Sequence, residues 1–310
     1  MMGLATALSE VTLVLFTTLA PSGAVAFAII AVLIACGHCD GERCFRAKQF
    51  LAVPLVTTMA GLIASATHLG NPANALYVFM GVGRSPLSNE VFSAVVFLGL
   101  AGSYWLYSFT QVKRPVLERI WLVAAAVAAV VFLDQVSLAY SVETIITWDS
   151  PLMPLSLWLN ALIGGPLLAL CSLRAADRRF VPGRFWNGLC LVSAVALAGN
   201  LIVLTLYGGE LSGMRNSLAT ALDLAPFYPA LVAYGILIAA GIVLMYAANP
   251  AGLLLRRCKM HGHDRKAPSL KAAELRTLYC CIASCVLVLL GIFVIRFVFY
   301  MLHMTAGLAI

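Results

Sequence analysis

Apolar residues in this protein form long, nearly unbroken runs, not stripes. Eight runs reach the length a bilayer requires, about 17–25 residues: Val11–Ala35, Phe50–Thr67, Glu90–Thr110, Leu117–Tyr140, Leu152–Leu173, Phe185–Tyr207, Pro226–Ala248 and Leu275–Phe299. Val and Ile are frequent in them, but alternation with period two is missing, so strands are not expected. A segment crossing lipid must satisfy its own backbone N–H and C=O groups, and a helix does so. The pattern therefore predicts an all-α integral membrane protein with eight transmembrane helices, a single polytopic domain over residues 1–310. The first run follows no basic segment and precedes no convincing cleavage site, so it reads as a retained helix and not as a signal peptide.

The connections refine this picture. The stretch from His68 to Asn89 holds Gly70, Pro72, Gly81, Gly83 and Pro86, which prevent one continuous helix. Within it, Ala73–Met80 is apolar enough for a short helix lying on or dipping into the interface. A faint echo links His68-Leu69-Gly70 at the end of the second run to Tyr207-Gly208-Gly209-Glu210 at the end of the sixth. It is too short to be a repeat.

Composition agrees with the class. Apolar residues make up 62% and charged residues 11%, against about 45–50% and 25% in soluble domains. The net charge of +7 invites a nucleic-acid reading, but the distribution removes it. Of the 20 Lys and Arg residues, 17 lie in the connections after the first, third, fifth and seventh runs, leaving Arg84, Arg215 and Arg296 elsewhere. By the positive-inside rule those connections are cytoplasmic and both termini lie outside the cytoplasm. The basic residues then contact membrane lipid, not nucleic acid. Nine cysteines do not form a disulfide framework: Cys36, Cys39, Cys44 and Cys258 fall on the reducing side, and the rest lie in or near helices.

With this topology the ionisable residues of the runs gather at one end. His68 closes the second run, Glu90 opens the third, and Asp134 lies in the outer half of the fourth beside Gln135. Arg296, Tyr300 and His303, spaced four and three apart, share one face of the eighth. An ionisable group at such depth is costly and marks a function or a partner. An imidazole facing a carboxylate near the surface is a workable pair for taking two protons from a lipid-soluble quinol. Plainer readings stand beside this one. His68 could hydrogen-bond a carbonyl at a helix end, and Glu90 is favoured in a first helical turn by the dipole. Asp134 needs a partner, for which Arg296 is the natural candidate. No two of the five histidines suit the axial positions of one haem. Cys36, His38, Cys39, Cys44, Cys258, His261 and His263 have zinc-type side chains but no tight spacing, so no metal is expected.

At this point the sequence resembles the membrane anchor subunit of bacterial dimethyl sulfoxide reductase. The likeness runs through Glu10-Val11-Thr12-Leu13-Val14-Leu15-Phe16-Thr17, His68-Leu69-Gly70-Asn71-Pro72, Leu87-Ser88-Asn89-Glu90, Gly164-Gly165-Pro166-Leu167-Leu168 and Arg296-Phe297-Val298-Phe299-Tyr300-Met301-Leu302-His303-Met304-Thr305. It covers nearly the whole length. It implies an eight-helix anchor holding an iron–sulfur electron-transfer subunit and a molybdopterin catalytic subunit at the membrane. Such an anchor oxidises menaquinol and carries neither haem nor an iron–sulfur cluster of its own. The resemblance implies that His68 and Glu90 belong to the quinol site.

The expectation is thus a quinol-oxidising subunit of an oxidoreductase complex. His68 and Glu90 act as bases, Gly70, Arg296, Tyr300 and His303 line the quinol site, and Asp134 supports it. The alternatives are an ion-translocating transporter using Asp134 and Arg296, and an anchor without a quinol site. Broken midplane helices and clear repeats would mark the transporter.

Overall fold

Each apolar run folds as a helix. The computed structural model describes residues 3–37, 41–68, 72–110, 114–177, 182–216, 219–249 and 270–305. A short α1 (Gly3–Ser9) precedes α2 (Val11–Ala35). Next come α3 (Gly41–Phe50) and α4 (Ala52–Ala66), a 3₁₀ segment (Pro72–Gly81), α5 (Pro86–Tyr107) and α6 (Pro115–Ala139). The second half holds α7 (Leu152–Ala176), α8 (Gly183–Gly213), a single-turn α9 (Ala221–Leu224), α10 (Phe227–Ala247) and α11 (Leu270–Met301). Eight helices, with α3 and α4 counted as one span, are long and apolar enough to cross a membrane.

Several boundaries differ from the sequence reading, and three of them have a local reason. The second span begins at Gly41, because its polar first turns are tied down: Arg46 pairs with Glu42 at 2.7 Å, and Lys48 with Glu118 of α6. The third begins at Pro86, where a proline without an N–H suits a first helical turn. The sixth continues past Tyr207 to Gly213. Gly208 does not stop it; a Cβ there would lie 2.9 Å from the Phe227 ring, so the glycine admits the start of α10. The stretch Ala73–Met80, expected as a short helix, lies within a 3₁₀ helix over Pro72–Gly81, which leaves Leu76, Tyr77 and Met80 largely exposed.

Packing divides the spans into two groups of four. In the first, α2 packs against α4 and α6, and α5 against α6; in the second, α7 packs against α8, and α10 against α8 and α11. The groups meet where α2 lies on α7 and α11. Accordingly α2 and α7 are the most buried spans. Helices in lipid have no hydrophobic drive to associate, so small residues that let backbones approach become decisive. A Cβ on Gly23 of α2 would sit 2.7 Å from the Pro54 carbonyl, and one on Gly165 of α7 would sit 3.2 Å from the Ala26 nitrogen. The second group is further joined by a buried polar triad. Tyr234 donates to Asn160 Oδ1 at 2.9 Å, and Asn200 Nδ2 lies 3.1 Å from the same oxygen and 2.6 Å from the Tyr234 hydroxyl.

The outside of the bundle is apolar. Val56, Ile63, Val195, Ile202 and Val243 are each more than 60% exposed, a surface that suits lipid and not water. Ion pairs collect at one end, where Arg43 approaches Asp177 and Lys48 meets Glu118. The opposite end carries the residues singled out for chemistry.

Candidate functional site

Helix α4 delivers His68 to that end, just beyond its last turn; the His68 N–H still donates to the Ser65 carbonyl at 3.0 Å. The imidazole is 42% exposed, and its Nε2 lies 3.2 Å from Oε2 of Glu10. Its carboxylate neighbour is therefore Glu10, at the junction of α1 and α2, and not Glu90. Glu10 and His68 meet because α2 and α4 pack side by side.

Glu90 sits in the first turns of α5 and is 4% exposed. The turn before it is held by Asn89, whose side-chain oxygen accepts from the Gly83 N–H at 2.7 Å. Gly83 has φ +84°, a conformation that favours glycine. The Glu90 carboxylate makes no hydrogen bond or ion pair with a described residue. It acts electrostatically on the hydroxyls of Tyr140 and Tyr300.

The same two tyrosines flank Arg296. Arg296 is 3% exposed and points its Nε at Thr17 Oγ1, 3.1 Å away. Its guanidinium carbon lies 4.1 Å from the centre of the Phe299 ring, 5.5 Å from Tyr140 and 5.6 Å from Tyr300. Arginine suits this setting because its planar, weakly hydrated cation stacks on aromatic faces. Nη2 of Arg296 is buried and takes part in no hydrogen bond with a described residue, whereas the buried Tyr300 hydroxyl lies beside the hydroxyls of Tyr140 and Thr17. Beside Arg296 a small cavity of about 10 Å³, lined in part by Ser156, Asn160 and Tyr207, has room for about one water.

The segment between α6 and α7 closes over the end of α11. Trp148 stacks on Phe299 at 4.6 Å and donates from Nε1 to the Phe299 carbonyl at 3.1 Å. Thr147 donates its hydroxyl to the Leu302 carbonyl and accepts at its own carbonyl from Tyr207, 2.5 Å away. The exposed His303 packs edge-on against Trp148 at 5.2 Å.

The structure thus brings Glu90, Arg296 and Tyr300 together, with His303 adjoining through Trp148. Asp134 does not pair with Arg296. It is half-buried, its carboxylate is 3.2 Å from the Gln135 amide, and the face of Arg296 is taken by aromatic rings. Gly70 lies outside the described residues, as do His38, Cys39, Cys258, His261 and His263. Among the described residues no group of His, Cys, Asp and Glu is arranged to hold a metal ion.

Sequence reasoning missed Glu10, Thr17, Tyr140 and Trp148 as site residues. Tyr140 and Trp148 look like ordinary interfacial aromatics at span ends. Glu10 and Thr17 had one usable signal: spaced seven apart on α2, they share a helical face.

Comparison with known proteins follows the same outline. A family model described as the DMSO reductase anchor subunit (DmsC) matches residues 4–302. Over 299 residues the sequence is 30% identical to the C subunit of anaerobic dimethyl sulfoxide reductase from Escherichia coli (strain K12), an alignment spanning 96% of both proteins. It is likewise 30% identical over 302 residues to the YnfH subunit of anaerobic dimethyl sulfoxide reductase from the same organism, again spanning 96% of both. Against the C subunit of the Haemophilus influenzae enzyme the identity is 30% over 229 residues, spanning 72% of this protein and 78% of that one.

Proposed function

Because this protein belongs to the family of DMSO reductase anchor subunits, we propose that it oxidises menaquinol for a membrane-bound dimethyl sulfoxide reductase. In that role it holds an iron–sulfur electron-transfer subunit and a molybdopterin catalytic subunit at the bacterial inner membrane. Family membership favours an anchor over an ion-translocating transporter. The basic connections face the cytoplasm, and the end carrying His68 and Glu90 faces the periplasm, as do both termini.

The quinol enters from the lipid at the outer ends of α4, α5 and α11. It gives up two electrons and two protons. The electrons go to an iron–sulfur cluster of the partner subunit. His68 takes one proton on a ring nitrogen, and the Glu90 carboxylate takes the other. The observation that carries this reading is Glu90 itself: a carboxyl group 4% exposed, with no hydrogen bond or ion pair to a described residue, at the end of the bundle where α4 delivers an imidazole. A carboxylate held only for structure would be expected to have its oxygens satisfied. Arg296 Nη2, without a hydrogen-bond partner among the described residues, is a donor suited to an oxygen of the oxidised ring, with the Tyr300 hydroxyl close by. As expected from the sequence, His303 and Gly70 are assigned to quinol binding, Gly70 without a described position, and Asp134 to a supporting role.

The test separates quinol oxidation from the rest of the complex. His68→Arg installs a permanent cation that cannot act as a base, and Glu90→Gln keeps shape while removing the acceptor. Both variants should assemble and reduce dimethyl sulfoxide with an artificial soluble donor at the parental rate. Both should lose menaquinol-dependent turnover by about a hundredfold or more. Parental quinol oxidation and normal binding of a quinol-analogue inhibitor in both would leave an anchor without a site at these residues.

A further inference from the structure

Glu10 is the first residue before α2, a position where a carboxylate is often held only by the helix dipole or by a capping bond. Here it makes no capping hydrogen bond. Its Oε2 is buried and accepts no hydrogen bond from any described group, His68 included, although His68 Nε2 stands only 3.2 Å away. We propose that Glu10 is the positioning residue for His68: from 3.2 Å away, a small rotation of the imidazole lets its carboxylate receive the Nε2–H, so Nδ1 carries the lone pair that takes the quinol proton. This rests on the quinol-site reading above and adds to it the group that fixes the imidazole tautomer and ring orientation.

The local fold supports that role. The Glu10 backbone is fastened from both sides, its N–H donating to the Thr6 carbonyl at 3.1 Å and its carbonyl accepting from Leu13 and Val14 at 2.9 and 3.0 Å. The preceding helix cannot shift readily. A Cβ on Gly3 would lie 2.8 Å from the Leu224 carbonyl oxygen and 2.9 Å from the Met301 carbonyl carbon, so α1 is wedged against α9 and the end of α11. A fixed acceptor facing one ring nitrogen leaves an imidazole one favoured tautomer, because whichever nitrogen donates to the carboxylate cannot also present a lone pair. The accessible remainder of the ring, on a side chain 42% exposed, is then the basic nitrogen.

The experiment uses membranes containing the whole complex. Glu10→Ala should lower kcat for menaquinol oxidation about tenfold and leave KM within about twofold, because orientation of a base acts on the proton-transfer step and not on binding of the ring. Glu10→Asp should restore most of the rate. Turnover with the artificial donor should match the parent in both. In a His68→Ala background, Glu10→Ala should cost nothing further, since it would act only through that imidazole. Unchanged quinol turnover in Glu10→Ala overturns the proposal, and so do multiplying effects in the double variant. An equal loss with both donors marks a structural role and also overturns it; Glu10→Gln, which keeps the size of the side chain, repeats the comparison if Glu10→Ala assembles poorly. If His68→Ala itself oxidises quinol normally, the quinol-site reading fails, and that failure is distinct from any result at Glu10.

Discussion

Arg296 is the residue with the largest electrostatic demand in this bundle. It is a permanent cation in a low-dielectric setting, and no carboxylate pairs with it among the described residues. Its solvation is replaced by the ring faces of Phe299, Tyr140 and Tyr300 and the Thr17 hydroxyl. A lysine at that place carries the charge but cannot stack a planar group on Phe299 while reaching Thr17. Arg296→Lys should therefore destabilise the purified complex by about 1–2 kcal/mol. The check is the thermal unfolding midpoint in detergent. A midpoint equal to the parent's would mean that the aromatic cage contributes little.

Helix contacts make predictions of another kind. The faces of α2 and α7 meet at Gly165, where even a methyl group would crowd Val25 and Ala26. Gly188 on α8 has nothing within 4 Å of its virtual Cβ. Gly165→Val should overpack the contact at a cost of about 1–3 kcal/mol, lowering the amount of folded protein in the membrane. Gly188→Val should leave it at the parental level. Immunoblots of membranes, normalised to synthesis, compare the two; equal levels would show that the α2–α7 contact yields easily. The polar triad gives a separate test. Asn200→Leu takes one hydrogen-bond donor from both Asn160 Oδ1 and the Tyr234 hydroxyl inside the second group of spans. It should cost about 1–2 kcal/mol, read as a lower unfolding midpoint with quinol affinity unchanged.

Across the whole molecule, charge and chemistry occupy opposite ends. Reporter fusions in the connections after α2, α5, α7 and α10 should read cytoplasmic, because those connections hold nearly all of the Lys and Arg. A periplasmic signal from residues 256–276 would invert the topology and move His68 and Glu90 to the cytoplasmic face.

Eight spans, their order and the end at which the ionisable groups gather were all legible in the sequence. Each depends on a local rule: length and apolarity set a span, the distribution of Lys and Arg sets its direction, and direction sets depth. Arg296 and Tyr300 share a face by helical spacing alone, so their company was legible too. Partners were not. His68 faces Glu10 because α4 lies against α2, and Arg296 meets Thr17 because α11 crosses α2; neither adjacency follows from order along the sequence. The expected pairing of Asp134 with Arg296 shows the limit well. Opposite charges at similar depth suggest a bond, but helix rotation decides which side chains meet, and here it turns Arg296 toward Phe299 and Tyr140. In lipid every helix is apolar nearly all round, so sequence periodicity scarcely marks the inward face. Rotation is set by close packing at positions such as Gly23, Gly61 and Gly165, and only the tertiary structure records it.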